Sequence, residues 1–175
     1  MNYDELRKQI EKGCRKHFTL FQEELSASEI CGYALYSDSD AMSVSLAINT
    51  KEELAELVDD EPEDEISYKW NPQEWAYDSE GGEDFDRISN TLTKESSSHI
   101  NTATEEEHFS YADSVFNCCV EALQNLVKEG FFNNSPDAVI VFSVFDYEDK
   151  EKSVAWIEGL NSKELVAEYR DLLIS

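Results

Sequence analysis

Histidine and cysteine are among the residue types of this chain that could ligate a metal or act as nucleophiles, and their spacing favours neither role. The histidines are His17, His99 and His108. They are too scattered to supply the closely spaced ligand pair of a typical zinc site. The cysteines, with no CxxC pair among them, are Cys14, Cys31, Cys118 and Cys119. The last two are adjacent in a helical pattern, where neighbouring side chains diverge. We therefore expect reduced, buried thiols rather than a strained vicinal disulfide or a metal site.

Motifs for phosphate binding and for a serine nucleophile are absent from the sequence. The chain contains no GxGxxG, GxxxxGK[ST] or GxSxG pattern, and it has six glycines in all. The nearest match to a calcium loop begins at Asp78, but it places glycine fifth and an acid sixth. The EF-hand loop needs an acid or amide fifth and glycine sixth. We therefore expect a solvated acidic turn there, with no cofactor and no metal.

Acidic residues dominate the charge of the chain and favour binding over catalysis. The chain has 39 acids and 14 bases, which gives a formal net charge of −25. With so many carboxylates, two will lie close together in almost any fold, so paired acids are no specific signal for acid–base catalysis. The same charge repels nucleic-acid phosphates and anionic membrane surfaces. We expect a basic protein partner, no nucleic acid and no membrane.

The densest acidic stretch, residues 59–65, has six acids in seven residues. We predict that it contacts the basic partner together with acids that follow it in the chain; the alternative is a charged face that serves only solubility. The predicted contact residues are Asp59, Asp60, Glu61, Glu63, Asp64, Glu65, Asp78, Glu80, Glu83 and Asp84. Trp75 is the candidate apolar anchor, because tryptophan is enriched in interface hot spots. The interpretation that we favour for Trp70 and Trp75, however, buries both rings.

The elements that must position these residues follow from hydrophobic periodicity and from capping signals. A stripe from Leu6 to Leu25 recurs every three or four residues, and capping boxes at Thr50–Glu53 and Thr104–Glu107 begin two further helices. Helices are predicted at 3–25, 51–58, 83–95, 104–128, 149–158 and 162–173. Strands are predicted at 30–36, 42–48, 66–70 and 138–145.

Loops are expected at 59–65 and at 96–104, where acidic or small polar residues accumulate. Helix 104–128 is predicted to bury a face that includes Phe109 and to end at Gly130. The strand at 138–145 is the most apolar and is predicted to be central in the sheet. We predict a single α+β domain, 1–175, with a mixed or antiparallel sheet of about four strands flanked by helices.

The expected location follows from two features of the sequence. Residues 1–11 mix charges and contain no apolar core of a signal peptide. The longest strongly apolar run, 138–145, is far shorter than a membrane span. We expect a cytoplasmic protein and make no prediction of its oligomeric state.

Three segments together resemble a known family. They are Tyr33–Tyr36 with Asp38–Ser43, the run Tyr68–Tyr77, and the stretch Val139–Asp146. Their order and spacing, and above all the pattern W-x-P-x-E-W-A-Y in residues 70–77, resemble the bacterial domain of unknown function 4303 family over nearly the whole chain. The resemblance implies no assigned enzymatic activity and no catalytic residues. In size and acidity the chain is also similar to immunity proteins encoded beside bacterial toxins.

The leading functional hypothesis is a non-catalytic, immunity- or antitoxin-like protein that occludes a basic toxin domain by charge complementarity. A narrower version is mimicry of nucleic acid, in which carboxylates stand where phosphates would. One alternative is an enzyme that acts on a cationic or metal-bound small substrate in a carboxylate-lined cleft beside His17 or His108. Another is a housekeeping interaction module.

Overall fold

The computed structural model describes residues 1–80 and 82–174, which form seven α-helices and a four-stranded mixed sheet. The helices are α1 (Tyr3–Leu25), α2 (Lys51–Asp60), α3 (Glu65–Trp70), α4 (Gly82–Thr102), α5 (Glu105–Lys128), α6 (Lys150–Glu158) and α7 (Lys163–Ile174). The strands are β1 (Ile30–Ser37), β2 (Val44–Thr50), β3 (Tyr77–Glu80) and β4 (Val139–Val144). These elements confirm the predicted α+β class with flanking helices.

The four strands of the sheet are ordered β3-β2-β1-β4. β1 and β2 form an antiparallel hairpin, in which Leu35 lies opposite Leu46, and β2 pairs antiparallel with β3. β4 joins the other side of β1 in parallel, with Phe142 opposite Leu35. The carboxyl ends of β1 and β4 therefore lie at the same end of the sheet, and α2 follows β2 at the opposite end.

Side chains on the two faces of the sheet form two hydrophobic cores. The larger core packs α1, α4 and α5 against one face, and Phe18, Tyr33 and Phe116 are among its buried rings. The smaller core lies on the other face, where Trp70 and Trp75 pack with residues of α6 and α7 on the strands. Two elements that pack in different cores therefore present their exposed side chains on different sides of the sheet.

β4 is an edge strand, so the prediction of a central strand at 138–145 is wrong. Helix α6 contributes Trp156 to the larger core and Ile157 to the smaller one, so it packs beside β4 on both faces. The side-chain amide of Asn161 pairs with the edge of the strand. Its Oδ1 accepts from the N–H of Ile140 at 2.9 Å, and its Nδ2 donates to the carbonyl oxygen of Ile140 at 2.7 Å. An edge covered in this way allows the apolar composition of a central strand.

The predicted strand 66–70 is instead helix α3. Ile66, Tyr68 and Trp70 alternate with polar residues as in a strand, but only Trp70 is buried. Pro62 begins a short 3-10 turn that leads into the helix. The third strand is β3, later in the chain. An alternation over five residues is too short to separate a strand from a helix when one buried tryptophan fixes the packing.

The acidic stretch 59–65, predicted as a loop, lies mostly in helical structure. α2 continues to Asp60, the 3-10 turn spans Pro62–Asp64, and α3 begins at Glu65. Repulsion among the acids does not prevent this arrangement, and Glu65 in the first turn of α3 lies at the positive end of its helix dipole.

The second predicted loop, 96–104, is wrong for residues 96–102, because α4 continues to Thr102. The hydroxyl of Ser96 is buried and donates to the carbonyl oxygen of Asp40 at 2.8 Å. This contact joins α4 to the turn of the β1–β2 hairpin, more than fifty residues earlier in the chain. It stabilises a helical turn that the local run of serines does not favour.

The ends of the two longest helices agree with their sequence signals. α1 spans the predicted range, and Thr104 forms the predicted capping box of α5 with Glu107. α5 ends before Gly130, which has φ +74° and donates to the carbonyl oxygen of Val127. Phe109 is the exception, because its side chain is 60% exposed and does not belong to the buried face of α5.

All four cysteines are buried free thiols, as predicted. Burial raises the pKa of Cys31 and of Cys118 to about 11, so both are neutral thiols at physiological pH. Over residues 1–80 and 82–174, no helix has both the length and the apolar character needed to cross a bilayer.

Candidate functional site

The negative charge of the chain is concentrated in residues 52–86, which we call the acidic segment. It contains fifteen acidic residues and a single base, Lys69. The segment is one-fifth of the chain, and it carries more than half of the formal net charge of −25. A cationic partner would therefore meet the strongest attraction near this segment.

All six acids of residues 59–65 are exposed. Thr50 begins α2 by accepting a hydrogen bond from the N–H of Glu53 at 3.2 Å, and the helix then places Asp59 and Asp60 in its last turn. Acids at this end oppose the helix dipole, which usually costs about 0.3–1 kcal/mol near the surface. The fold thus holds these carboxylates at a position where helix stability alone would favour a lysine or an arginine.

Several of the acids lie close to the hydroxyl of Tyr68. Its hydroxyl donates to the carboxylate of Glu61, and the carboxylates of Asp64 and Glu74 lie close enough to act on it. The hydrogen bond to Glu61, more than any other effect, raises the pKa of Tyr68 to about 12. The backbone oxygen of Tyr68 also accepts from Trp75 Nε1 at 2.9 Å, which ties this surface to the smaller core.

Trp75 itself is buried, so its prediction as an exposed anchor is wrong and the interpretation that buries both tryptophans is confirmed. Its side chain is 3% exposed and packs against the backbone of Gly32 in β1. Trp70 is equally buried, and its Nε1 donates to Glu168 Oε1 at 2.7 Å. An exposed apolar side chain beside residues 59–65 is instead that of Ile66, which is 43% exposed.

Asp84, also predicted as a contact residue, lies apart from the acids around Tyr68. Its carboxylate pairs with Lys16 Nζ at 2.6 Å and lies 3.2 Å from His17 Nε2. The hydrogen bonds from Lys16 and then His17 lower the pKa of Asp84. α4 packs in the larger core, whereas Tyr68, which holds Glu61, belongs to α3, whose Trp70 packs in the smaller core on the other face of the sheet.

The remaining predicted acids follow the same division. Glu83 is exposed and pairs with Arg87 one turn later in α4. Asp78 is exposed in β3, at the edge of the sheet, whereas the side chain of Glu80 lies outside the described part of the structure. The structure therefore places Glu83 and Asp84 on α4, apart from the exposed acids of 59–65, of which Glu61 and Asp64 lie near Tyr68 together with Glu74.

The two histidines considered for the enzyme alternative lie apart from each other. His17 neighbours Asp84, whereas His108 Nε2 lies 3.0 Å from Asp40 Oδ1 near the β1–β2 turn, so the two histidines belong to separate pairs. Within residues 1–80 and 82–174, no three His, Cys, Asp or Glu side chains are grouped so as to hold a metal ion. What the acidic surface can do chemically is attract and hold cations.

Sequence reasoning missed Tyr68, Glu74 and Ile66 as members of the surface. The signal that could have found Tyr68 is helical spacing, because Glu61, Asp64 and Tyr68 lie three and four residues apart. Interpreting residues 66–70 as a strand hid that spacing.

The chain matches the model of a protein family. The model of DUF4303, described as a domain of unknown function, matches residues 10–162. No curated protein and no solved structure matches the chain.

Proposed function

The chain belongs to the DUF4303 family, a domain of unknown function, and from that premise we propose that it is a non-catalytic protein that binds a basic protein partner through the acidic segment. The observation that supports this most is the group of exposed acids at 59–65 and Glu74, in a segment with fifteen acids and one base. The ends of α2 and α3 set the backbone of this stretch, and the hydrogen bond from Tyr68 holds the carboxylate of Glu61.

The partner that suits this surface best is a protein domain built to hold phosphates. Such a domain presents lysine and arginine side chains. The carboxylates of 59–65 can form ion pairs with them, and Ile66 can supply an apolar contact. Charge complementarity accelerates association and penalises acidic proteins as wrong partners. The role that we propose is that of a cytoplasmic, immunity- or antitoxin-like protein of bacteria that occludes a basic toxin domain.

The test compares two variants with the same change in net charge. The first replaces with lysine four acids of the surface: Asp59, Asp60, Glu61 and Glu63. The matched control replaces with lysine four exposed acids outside the acidic segment: Glu23, Glu24, Glu29 and Glu151. Each variant is immobilised, and binding of the basic protein captured from the native host is followed by surface plasmon resonance.

We expect the surface variant to lower the association rate constant about tenfold or more, whereas the control lowers it much less. Raising the ionic strength from about 0.01 M to about 0.15 M shortens the Debye length from roughly 30 Å to 8 Å, so the wild-type association rate should fall over that range. Equal effects of the two variants would assign the attraction to net charge alone. An association rate that responds to neither salt nor the surface variant would refute the proposal.

A further inference from the structure

A cavity lies at the end of the sheet opposite the one from which α2 leads to residues 59–65. It forms where the parallel strands β1 and β4 end side by side, and the N–H of Phe145 donates to the carbonyl oxygen of Ser37 at 3.0 Å there. The cavity measures about 330 Å³ and lies between α5 and the segment that joins β4 to α6. Crevices at the carboxyl ends of parallel strands are common ligand sites in α/β sheets, because the chain diverges there into separate connections.

The walls of the cavity are aromatic. Phe116 closes it from the larger core, and the Tyr147 ring packs edge-on to Phe116 with centroids 6.1 Å apart. Phe109, which precedes Phe116 on α5, also lines the cavity, and its side chain is 60% exposed. Aromatic rings left this open beside a concavity are typical of binding sites.

The rim of the cavity is negative. Asp113 is neutralised by an ion pair with Lys152, which also hydrogen-bonds to Tyr147. Three further acids of the rim have no basic side chain paired with them in the described structure: Asp146, Glu148 and Asp149. Asp149 also begins α6 by accepting from the N–H of Lys152 at 3.0 Å. The surplus charge at the rim is therefore negative, above walls that are apolar.

We propose that this cavity binds an arginine side chain presented by a basic polypeptide. The aliphatic stem fits between Phe109 and Tyr147, and the planar guanidinium can stack on an exposed ring while it donates to the carboxylates of the rim. A bare metal cation would leave the aromatic walls unused, and an anion would meet the acids. The site is separate from the acidic segment, so this inference does not depend on the function proposed above.

The experiment is an NMR titration of the full chain, labelled with nitrogen-15, with two short peptides. Acetyl-Gly-Arg-Gly-amide carries the guanidinium, and acetyl-Gly-citrulline-Gly-amide has the same shape without the charge. We expect the arginine peptide to shift the backbone amides of Ala112, Asp113, Tyr147 and Glu148, and the citrulline peptide to leave them nearly unchanged. Equal shifts from both peptides, or shifts confined to residues 52–86, would overturn the proposal.

Two variants test the walls and the rim separately. Phe109→Ala removes an exposed ring, and Glu148→Gln removes one charge; each should weaken binding of the arginine peptide about three- to tenfold. The matched controls are Ile100→Ala, which removes a half-exposed apolar side chain of α4, and Glu105→Gln, which removes an exposed acid of α5. Controls that weaken binding as much as the test variants would refute the site.

The four-lysine variant of residues 59–63 separates this proposal from the function proposed above. It should keep the peptide shifts at the cavity even where it loses the basic partner. Loss of the cavity shifts in that variant would show that the peptide responds to the charge of the whole molecule, and the arginine site would be rejected.

Discussion

Gly32 of β1 is the residue at which the fold leaves no room for a side chain. A Cβ at this position would lie 2.6 Å from Cη2 of Trp75 and 2.9 Å from its Cζ2. The indole cannot move away freely, because its Nε1 is held by the backbone oxygen of Tyr68 at 2.9 Å. Trp75 is thus a core residue, and its hydrogen bond to Tyr68 connects the core to the acidic surface.

Gly32→Ala should therefore destabilise the protein by about 1–3 kcal/mol, the usual range for overpacking. For a chain of this size each kcal/mol lowers the melting temperature by about 2–4 °C. Gly159→Ala is the matched control, because its Cβ would crowd only the flexible end of Gln124 and would meet the backbone oxygen of Trp156 at an ordinary 3.7 Å. Urea unfolding followed by circular dichroism measures both variants. A wild-type unfolding midpoint for Gly32→Ala would show that the ring yields and that Trp75 is not fixed by its packing.

Helix α4 shows how a distant contact decides the extent of an element. Its second half contains the serines 96–98, which prefer caps and turns because their hydroxyls compete for backbone hydrogen bonds. Ser96 turns its hydroxyl instead to Asp40, and Thr102 donates to the carbonyl oxygen of Ser98 at 2.6 Å. The helix thereby remains intact up to the turn before α5.

Ser97→Pro distinguishes a helix at this position from a loop. Proline in a helix interior removes a backbone hydrogen bond and clashes with the preceding turn, so we expect a loss of about 3 kcal/mol or more. Ser97→Ala, the control, should stay within about 0.5 kcal/mol of wild type or stabilise slightly. Thermal and urea unfolding report both. If the proline variant is as stable as the alanine variant, residues 96–102 are not a fixed helix.

The same contrast explains how much of the fold the sequence could predict. The ends of α1 and α5 depend on caps and on a stripe within the element, so local patterns sufficed. α3 and the second half of α4 depend on Trp70 and Ser96, whose partners Glu168 and Asp40 are distant in the chain. β4 has a core-like composition because α6 and Asn161 cover its edge, and a composition does not reveal the element that covers it.

The candidate site was predictable in charge but not in arrangement. Acidic residues in 59–65 are a property of composition, and their exposure follows from it. The separation of Asp84 from Glu61 depends on which face of the sheet each helix covers, and that is a property of the topology. Phe109 joined the predicted stripe because its spacing fits the period, although the packed face of α5 begins only at Tyr111.

At the scale of the whole molecule, charge acts on stability in two opposing ways. Ion pairs such as Arg15–Glu129 and Lys51–Asp137 are partly exposed, contribute about 0.2–1 kcal/mol at most, and weaken when salt screens them. Repulsion among the acids destabilises the compact chain and also weakens with salt. Fourteen bases face 39 acids, so most carboxylates have no cation to pair with and repulsion must be the larger effect.

Added salt should therefore stabilise this protein, with a melting temperature that rises as sodium chloride increases from about 0.01 M to about 0.15 M. The expanded unfolded chain repels itself less, so screening favours the folded state. The four-lysine variant of residues 59–63 should melt higher than wild type at low salt and gain less from added salt, because its densest repulsion is already relieved. Differential scanning calorimetry at constant pH compares the two proteins. A melting temperature that falls with salt would mean that ion pairs outweigh repulsion, and the acidic surface would then be a stabilising part of the fold.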